Sequence, residues 1–345
     1  MIELCNESFI KEHTQIREGE KKVGESIIIP DGNLHESLAK FEGQFVLLGV
    51  PEDIGPIANY GKGGARNNWI PFTKALLNVQ HNQFVPVEEM LLLGTLNVED
   101  LLNTADKLDP NTPEELNRLR ELVTIIDERL TRVITTVFES AKTPIVIGGG
   151  HNNAYGILAG FQAAQSSEQK QPIGAINIDP HADCRAIEGR HSGNAFSYAF
   201  EQDLLTRYYT IGLHENYNSK QTFNWFEKHK SKCGFNLFDN QLRDFSNLKD
   251  IALKSKAAMQ GTPYGIEIDM DAVTDFPASA TTPSGYSLNE VRTLLHYLSN
   301  DHIVQYLHIP EAIASSEDTF MQQKVGKTLC YLVIDFIKNQ QKLTH

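Results

Sequence analysis

What this sequence has little of narrows its class before any motif is read. No apolar run reaches the ~20 residues that a membrane-spanning helix needs, so no membrane partner is expected. Basic residues are in deficit, with 31 Lys and Arg against 44 Asp and Glu and a net charge of −13. That balance disfavours nucleic acid and anionic lipid as partners. Cysteine is scarce: Cys5, Cys184, Cys233 and Cys330 are scattered, with no close pair to hold a zinc ion. Such usage suits a reducing compartment. The polar, acidic start Met1-Ile2-Glu3 lacks a signal-peptide pattern, and a cytoplasmic location is expected. Gly148-Gly149-Gly150 has neither the Gly-x-Gly-x-x-Gly spacing nor the Gly-Lys-Ser/Thr ending of a phosphate cradle. No internal repeat or long linker divides the chain.

What is present reads as a globular α/β protein. Hydrophobic residues make up 41% and charged residues 22%, the balance of a chain able to bury a large core. Gln44 to Val50 is the first strong strand. Thr112-Pro113-Glu114-Glu115 offers an N-cap, a proline at the first helical position and a capping-box glutamate. Leu116, Leu119, Val123, Ile126, Leu130, Val133 and Val137 then recur at helical spacing, predicting a helix to about Ser140. Strand and helix alternate from residue 45 onward, which argues a mostly parallel sheet with helices on both faces. Residues 1–40 carry no readable chemistry and are expected to pack on the outside as an N-terminal extension. Residues 41–345 are expected to form a single domain.

Three stretches carry chemistry. Ile173 to Ile178 reads as a buried strand running into Asp179-Pro180-His181-Ala182-Asp183. Were the chain to stay extended, Asp179, His181 and Asp183 would share a face at the strand's C-terminal edge, where open α/β sheets place ligands. Two carboxylates and an imidazole there suit a divalent metal; a polar loop of chance spacing is the bland alternative. Ile266, Ile268 and Met270 alternate with Glu267, Asp269 and Asp271. Three acids on one face of an apolar strand repel one another unless a cation sits among them. The third stretch, Ile145-Val146-Ile147, enters the glycine turn and ends at His151.

A Gly-Gly-x-His turn, an Asp-x-His-x-Asp loop and an Asp-x-Asp strand, in that order, resemble the ureohydrolase family of arginases, agmatinases and formimidoylglutamases. The resemblance covers roughly residues 44 to 335. It implies a three-layer α/β/α, arginase-like domain and two Mn²⁺ per subunit. The metal ligands it implies are His151, Asp179, His181, Asp183, Asp269 and Asp271, with Asp179 and Asp269 bridging. His191, before Ser192-Gly193-Asn194, matches the family's histidine on a loop over the metals, and is expected to carry a proton to the leaving nitrogen. Asp183 is expected to hydrogen-bond the attacking water. Glu311 matches a family glutamate and is expected to hold the amidine end of the substrate. The chain departs from the pattern in three places. Glu267 stands where the family has serine, the acid and proline after Asp-x-Asp are displaced to Asp275 and Pro277, and Ile313-Ala314 replaces Asn-Pro.

The triple glycine and the His-Ser-Gly-Asn segment look more like formimidoylglutamases than arginases. Arg185, two residues past Asp183, offers a planar fork for a substrate carboxylate; a structural salt bridge is its other reading. Asn194 is a second substrate-binding candidate. The expected reaction is hydrolysis of N-formimidoyl-L-glutamate to L-glutamate and formamide, in histidine degradation. Agmatinase, arginase or another guanidino-acid hydrolase releasing urea remains open, as does a metal-binding scaffold or regulator without turnover. The expected partner is a small amidine or guanidino substrate, and the expected assembly a homo-oligomer.

Overall fold

The computed structural model describes residues 1–166, 170–315 and 317–341. Among these, nine strands form one sheet: β1 (Ile2–Leu4), β2 (Phe45–Gly49), β3 (Met90–Leu96), β4 (Thr143–Ile147), β5 (Gly174–Ile178), β6 (Arg207–Leu213), β7 (Cys233–Leu237), β8 (Tyr264–Ile268) and β9 (Val304–Ile309). Their order is β1-β3-β2-β4-β9-β8-β5-β6-β7. Neighbours are parallel except β1 with β3. β2, β5 and β8 are buried along their whole length, which is why they read as near-continuous apolar runs. Alternate residues feed opposite cores. Phe45, Leu47, Ile176 and Ile266 pack on one face with Phe336, and Val46, Leu48 and Ala175 pack on the other with Leu119 and Leu130. Helices cover both faces, completing a three-layer α/β/α architecture.

The long amphipathic helix spans Pro113–Glu139 and buries the predicted stripe from Leu116 to Val137. Each such side chain removed from water contributes roughly 1.5–3 kcal/mol. The predicted capping box does not form there. The Thr112 side chain makes no cap bond, and the Glu115 carboxylate instead accepts the Asp109 N–H at 2.6 Å. A capping box forms instead at Ser287, with Glu290 N–H donating to Ser287 Oγ (3.2 Å) and Ser287 N–H to Glu290 (2.7 Å).

Residues 1–40 do more than pack outside. β1 adds an antiparallel edge strand to β3, and Ile28 bridges to Leu91, so this segment extends the sheet. All four cysteines are buried and free. No helix among the described residues is long and apolar enough to cross a membrane.

The central four strands, β4-β9-β8-β5, are in close register. Ile147 pairs with Ile309, Glu267 with His308, and Ile178 with Ile268. Their C-terminal ends therefore stop at one level, and whatever follows each strand is delivered to one place.

Candidate metal centre

His151 arrives from β4 through the glycine turn. Gly148 and Gly149 take positive φ (+82° and +74°), a conformation that costs glycine nothing. A buried carboxylate, Glu52, fastens the turn: its Oε1 accepts from Gly150 N–H and from Asn153 Nδ2, both at 2.7 Å, and its Oε2 from Gly55 N–H at 3.1 Å. Glu311, after β9, accepts the His151 N–H at 2.7 Å.

Asp179 and Asp269 are locked at their strand ends. Asp179 N–H donates to Ile211 (3.0 Å) and Asp269 N–H to Ile178 (3.1 Å). Beyond these points neither acidic motif stays extended. Asp179 Oδ1 accepts the His181 N–H at 2.6 Å, and Asp183 sits in the left-handed region at φ +46°. Asp269 Oδ1 accepts the Asp271 N–H at 2.8 Å and starts a single 3₁₀ turn. Turns capped by the first aspartate of each motif gather the acids, so strand alternation was the wrong reason for their convergence. Glu267 accordingly does not join Asp269 and Asp271; it stays within β8, fully buried.

The cluster is compact. His151 Nδ1 lies 2.8 Å from Asp183, 2.9 Å from Asp269 and 3.2 Å from Asp179. His181 Nδ1 lies 3.4 Å from Asp179 and 3.7 Å from Asp271. Asp271 is steadied by Ala280 N–H (2.8 Å) and Ser279 Oγ (3.2 Å). The potential ligand atoms of His151, Asp179, Asp183 and Asp269 all lie within 4.8 Å of one another.

The electrostatics are strained in a telling way. Burial, then the charge of Asp179, raises the carboxyl pKa of Asp183 and Asp269. Burial lifts Asp271 to about 6. Burial would raise Asp179 too, but hydrogen bonds from His151 and His181 hold it at about 2. Burial opposes charge on both imidazoles, yet the carboxylates around them win: His151 is pushed well up and His181 to about 10. Three buried carboxylates, Asp179, Asp269 and Asp271, with the largely enclosed Asp183 beside them, are costly unless compensated. Two divalent cations would balance them charge for charge, with oxygen and imidazole donors suited to Mn²⁺. The residues present fit a binuclear metal site.

A cavity of about 730 Å³ opens over this cluster, lined in part by His181, Asp183, Asp269, Asp271, Glu311 and Arg185. Glu311 is buried, and its Oε2 has no hydrogen-bond partner among the described residues. Burial, reinforced by the charge of Asp271, lifts its carboxyl pKa to about 8. Arg185 is half exposed; it donates to Asn59 Oδ1 at 2.5 Å and lies 3.3 Å from Glu188.

Two expected residues are absent from the cavity wall. His191 is fully buried: its Nδ1 accepts the Gly193 N–H, and its Nε2 faces Glu188 Oε1, both at 3.1 Å. Burial, with Arg185, Arg120 and Arg190 nearby, pushes its pKa down to about 3. The ring is neutral, with its proton toward Glu188, and Glu188 is what lines the cavity. Asn194 is also buried, its amide spent on Arg190 (2.7 Å), the His191 N–H (3.1 Å) and the Gly189 carbonyl (2.8 Å). It holds the loop together and offers no polar group to a substrate.

Sequence reasoning missed Glu52, Asn59, Glu188 and Tyr217. Tyr217 stacks on the His181 ring at 5.6 Å and on His214 at 5.1 Å. No local pattern marks these residues: Glu52, Asn59 and Tyr217 act through partners distant in sequence, and Glu188 meets its near neighbours Arg185 and His191 only because the loop folds back on itself.

The Arginase family model matches residues 43–311. The formimidoylglutamase of Geobacillus sp. (strain WCH70) is 27% identical over 266 residues, 74% of this chain and 72% of its own length. That of Lysinibacillus sphaericus (strain C3-41) is 25% identical over 216 residues, 61% of this chain, and the match spans just under two thirds (66%) of that relative. Among solved structures, a Trypanosoma cruzi formiminoglutamase with Mn²⁺ superposes with a TM-score of 0.67 at 19% identity, over 89% of this chain and 99% of that one.

Proposed function

The chain belongs to the arginase family, and on that premise we propose that it hydrolyses N-formimidoyl-L-glutamate to L-glutamate and formamide. The observation that carries this reading is the cluster of four carboxylates and two imidazoles, in which His151, Asp179, Asp269 and Asp271 are buried and Asp183 and His181 are partly open to a cavity that Glu311 and Arg185 also line. The names of the similar proteins and the Mn²⁺ of the T. cruzi structure support the choice of reaction and metal.

His151, Asp179 and Asp183 with Asp269 would hold one ion, and His181 and Asp271 with the shared Asp179 and Asp269 the other. Two such ions supply a water deprotonated near neutral pH and a local positive field. The chain's own groups do the rest. Asp183 orients the attacking water by accepting its hydrogen bond. Glu311 Oε2, without a hydrogen-bond partner among the described residues, accepts an N–H of the amidine and aligns its carbon. The water oxygen bonds to that carbon, the bond to the glutamate nitrogen breaks, and that nitrogen leaves with an added proton as the amine. We assign the proton delivery to Glu188 backed by His191: Glu188 takes up the proton that the attacking water loses and passes it to that nitrogen, and His191 meets the cavity through Glu188. Arg185 takes a carboxylate of the glutamate moiety with its charged fork. A guanidinium substrate such as agmatine has no carboxylate for it and would be repelled.

The test is metal analysis together with a product assay on N-formimidoyl-L-glutamate, agmatine and arginine. Two Mn²⁺ per chain and formamide from the first substrate are expected. Urea from either guanidino compound as the main product would replace the proposal by guanidino hydrolysis, and metal binding without turnover on any of them would replace it by a binding role. A cytoplasmic homo-oligomer remains the proposed assembly, to be read by light scattering.

A further inference from the structure

His151 has two faces. Its Nδ1 meets the three aspartates, while its Nε2 lies 3.5 Å from Glu267 Oε2. That Nε2 is buried and makes no hydrogen bond to any described residue, so Glu267 is the acceptor within reach. Glu267 is fully buried and held from β9 on its other side. Tyr306 Oη donates to its Oε1 at 2.7 Å, and His308 Nδ1 lies 2.6 Å from its Oε2. Strand register makes the trio possible: Gly265 pairs with Tyr306 and Glu267 with His308. A side chain at Gly265 would overlap the Tyr306 ring.

We propose that Glu267 is a positioning residue for the metal centre: once a cation takes the place of a proton at Nδ1, Glu267 accepts the Nε2–H of His151 and leaves the Nδ1 lone pair to the ion that Asp179, Asp183 and Asp269 would hold. This rests on the metal reading above. A neutral imidazole has one N–H and one lone pair, and the group facing one nitrogen decides which nitrogen keeps the proton. A carboxylate opposite Nε2 attracts an N–H and repels a lone pair. It therefore selects the tautomer able to bind metal through Nδ1, and it makes that nitrogen a better donor. His151, Glu267 and His308 also lie close enough to suggest a further metal site. Both Glu267 oxygens already have partners, however, so a support role uses the trio as it stands.

Glu267→Gln is the informative variant. An amide has one oxygen; with that oxygen kept on Tyr306, its NH₂ faces His151 and His308. An N–H aimed at Nε2 drives the imidazole proton to Nδ1, the nitrogen the metal needs bare. Mn²⁺ titration calorimetry should then show affinity ~10–100-fold weaker, and the electron paramagnetic resonance spectrum of the loaded protein should change. Tyr306→Phe removes one hydroxyl and should weaken affinity several-fold at an unchanged count of two ions. Melting of the metal-free proteins checks folding, and if Glu267→Gln does not fold, Tyr306→Phe decides. Wild-type affinity and spectrum in a folded variant would overturn the proposal, even with a lowered melting temperature, because that is a merely structural role. A third ion in wild type that Glu267→Gln loses would make Glu267 a ligand and overturn it too. Wild-type protein that binds no Mn²⁺ would instead sink the metal reading itself.

Discussion

The floor and the rim of the cavity are held in different ways. At the floor, His151, Asp179 and Asp269 hang from strand ends whose backbones are bonded into the sheet, and Glu311 follows β9 at the same level. At the rim, Arg185, Glu188 and His191 stand on a loop fastened from beneath by Arg190. That guanidinium bonds Asp127 (2.8 Å), Asn194 (2.7 Å) and the Asn152 carbonyl (3.0 Å), and lies between the rings of Tyr155 and Tyr198. The floor inherits its precision from strand register, so it is rigid wherever the sheet is. The rim depends on a few long-range side-chain bonds.

The largest effect should come from breaking the floor. Asp179→Ala removes a carboxylate placed between both imidazoles, and should abolish metal binding and activity together, beyond the ~10–100-fold typical of outer supporting groups. Metal analysis of the purified variant checks this; two ions retained would mean the centre is not built on Asp179. Next come Glu188 and His191, the rim groups to which proton delivery is proposed. His191→Ala and Glu188→Gln should each lower kcat by ~10²–10⁴-fold with metal content unchanged. The double variant should be no worse than the poorer single one, because the two act as a unit. Additive losses would separate them.

Arg190→Ala asks whether the rim has its own anchor. Asp127 is left buried without its partner, a loss of about 3–5 kcal/mol of stability, read by thermal or denaturant unfolding. The ion count should stay at two; loss of metal would show the floor leaning on the rim. The smallest change is the sharpest on specificity. Arg185→Ala should raise KM for N-formimidoyl-L-glutamate roughly ten- to a hundredfold, the worth of a charged hydrogen bond of ~1.5–3 kcal/mol, with less effect on kcat. Arg185→Lys should recover part of it, since an ammonium lacks the planar fork. An unchanged KM returns Arg185 to its bonds with Asn59 and Glu188.

The same division governs what could be read in advance. Floor residues lie in short motifs, Gly-Gly-Gly-His, Asp-x-His-x-Asp and Asp-x-Asp, each just past an apolar strand. A strand's end points its followers to the sheet edge whatever else the chain does. His191 and Asn194 looked equally suited by spacing, but their side chains turn inward, toward Glu188 and Arg190. In the sequence Glu267 reads as one of three acids sharing a strand face with Asp269 and Asp271. Its partners Tyr306 and His308 lie about forty residues away and became visible only with β8 beside β9.

Composition and periodicity by themselves determined a parallel α/β sheet with acids and histidines at its C-terminal edge, because hydrophobic pattern and strand direction are local properties. Only the tertiary structure decided which of those residues meet. It put Asp183 into a left-handed turn, His191 behind Glu188, and Glu267 behind His151. Glu267 reaches His151 and β9 across strands far apart in the chain, and the loop carrying Asp183, Glu188 and His191 is fixed by Asn218 and by Arg190 on Asp127, contacts that one-dimensional spacing cannot encode.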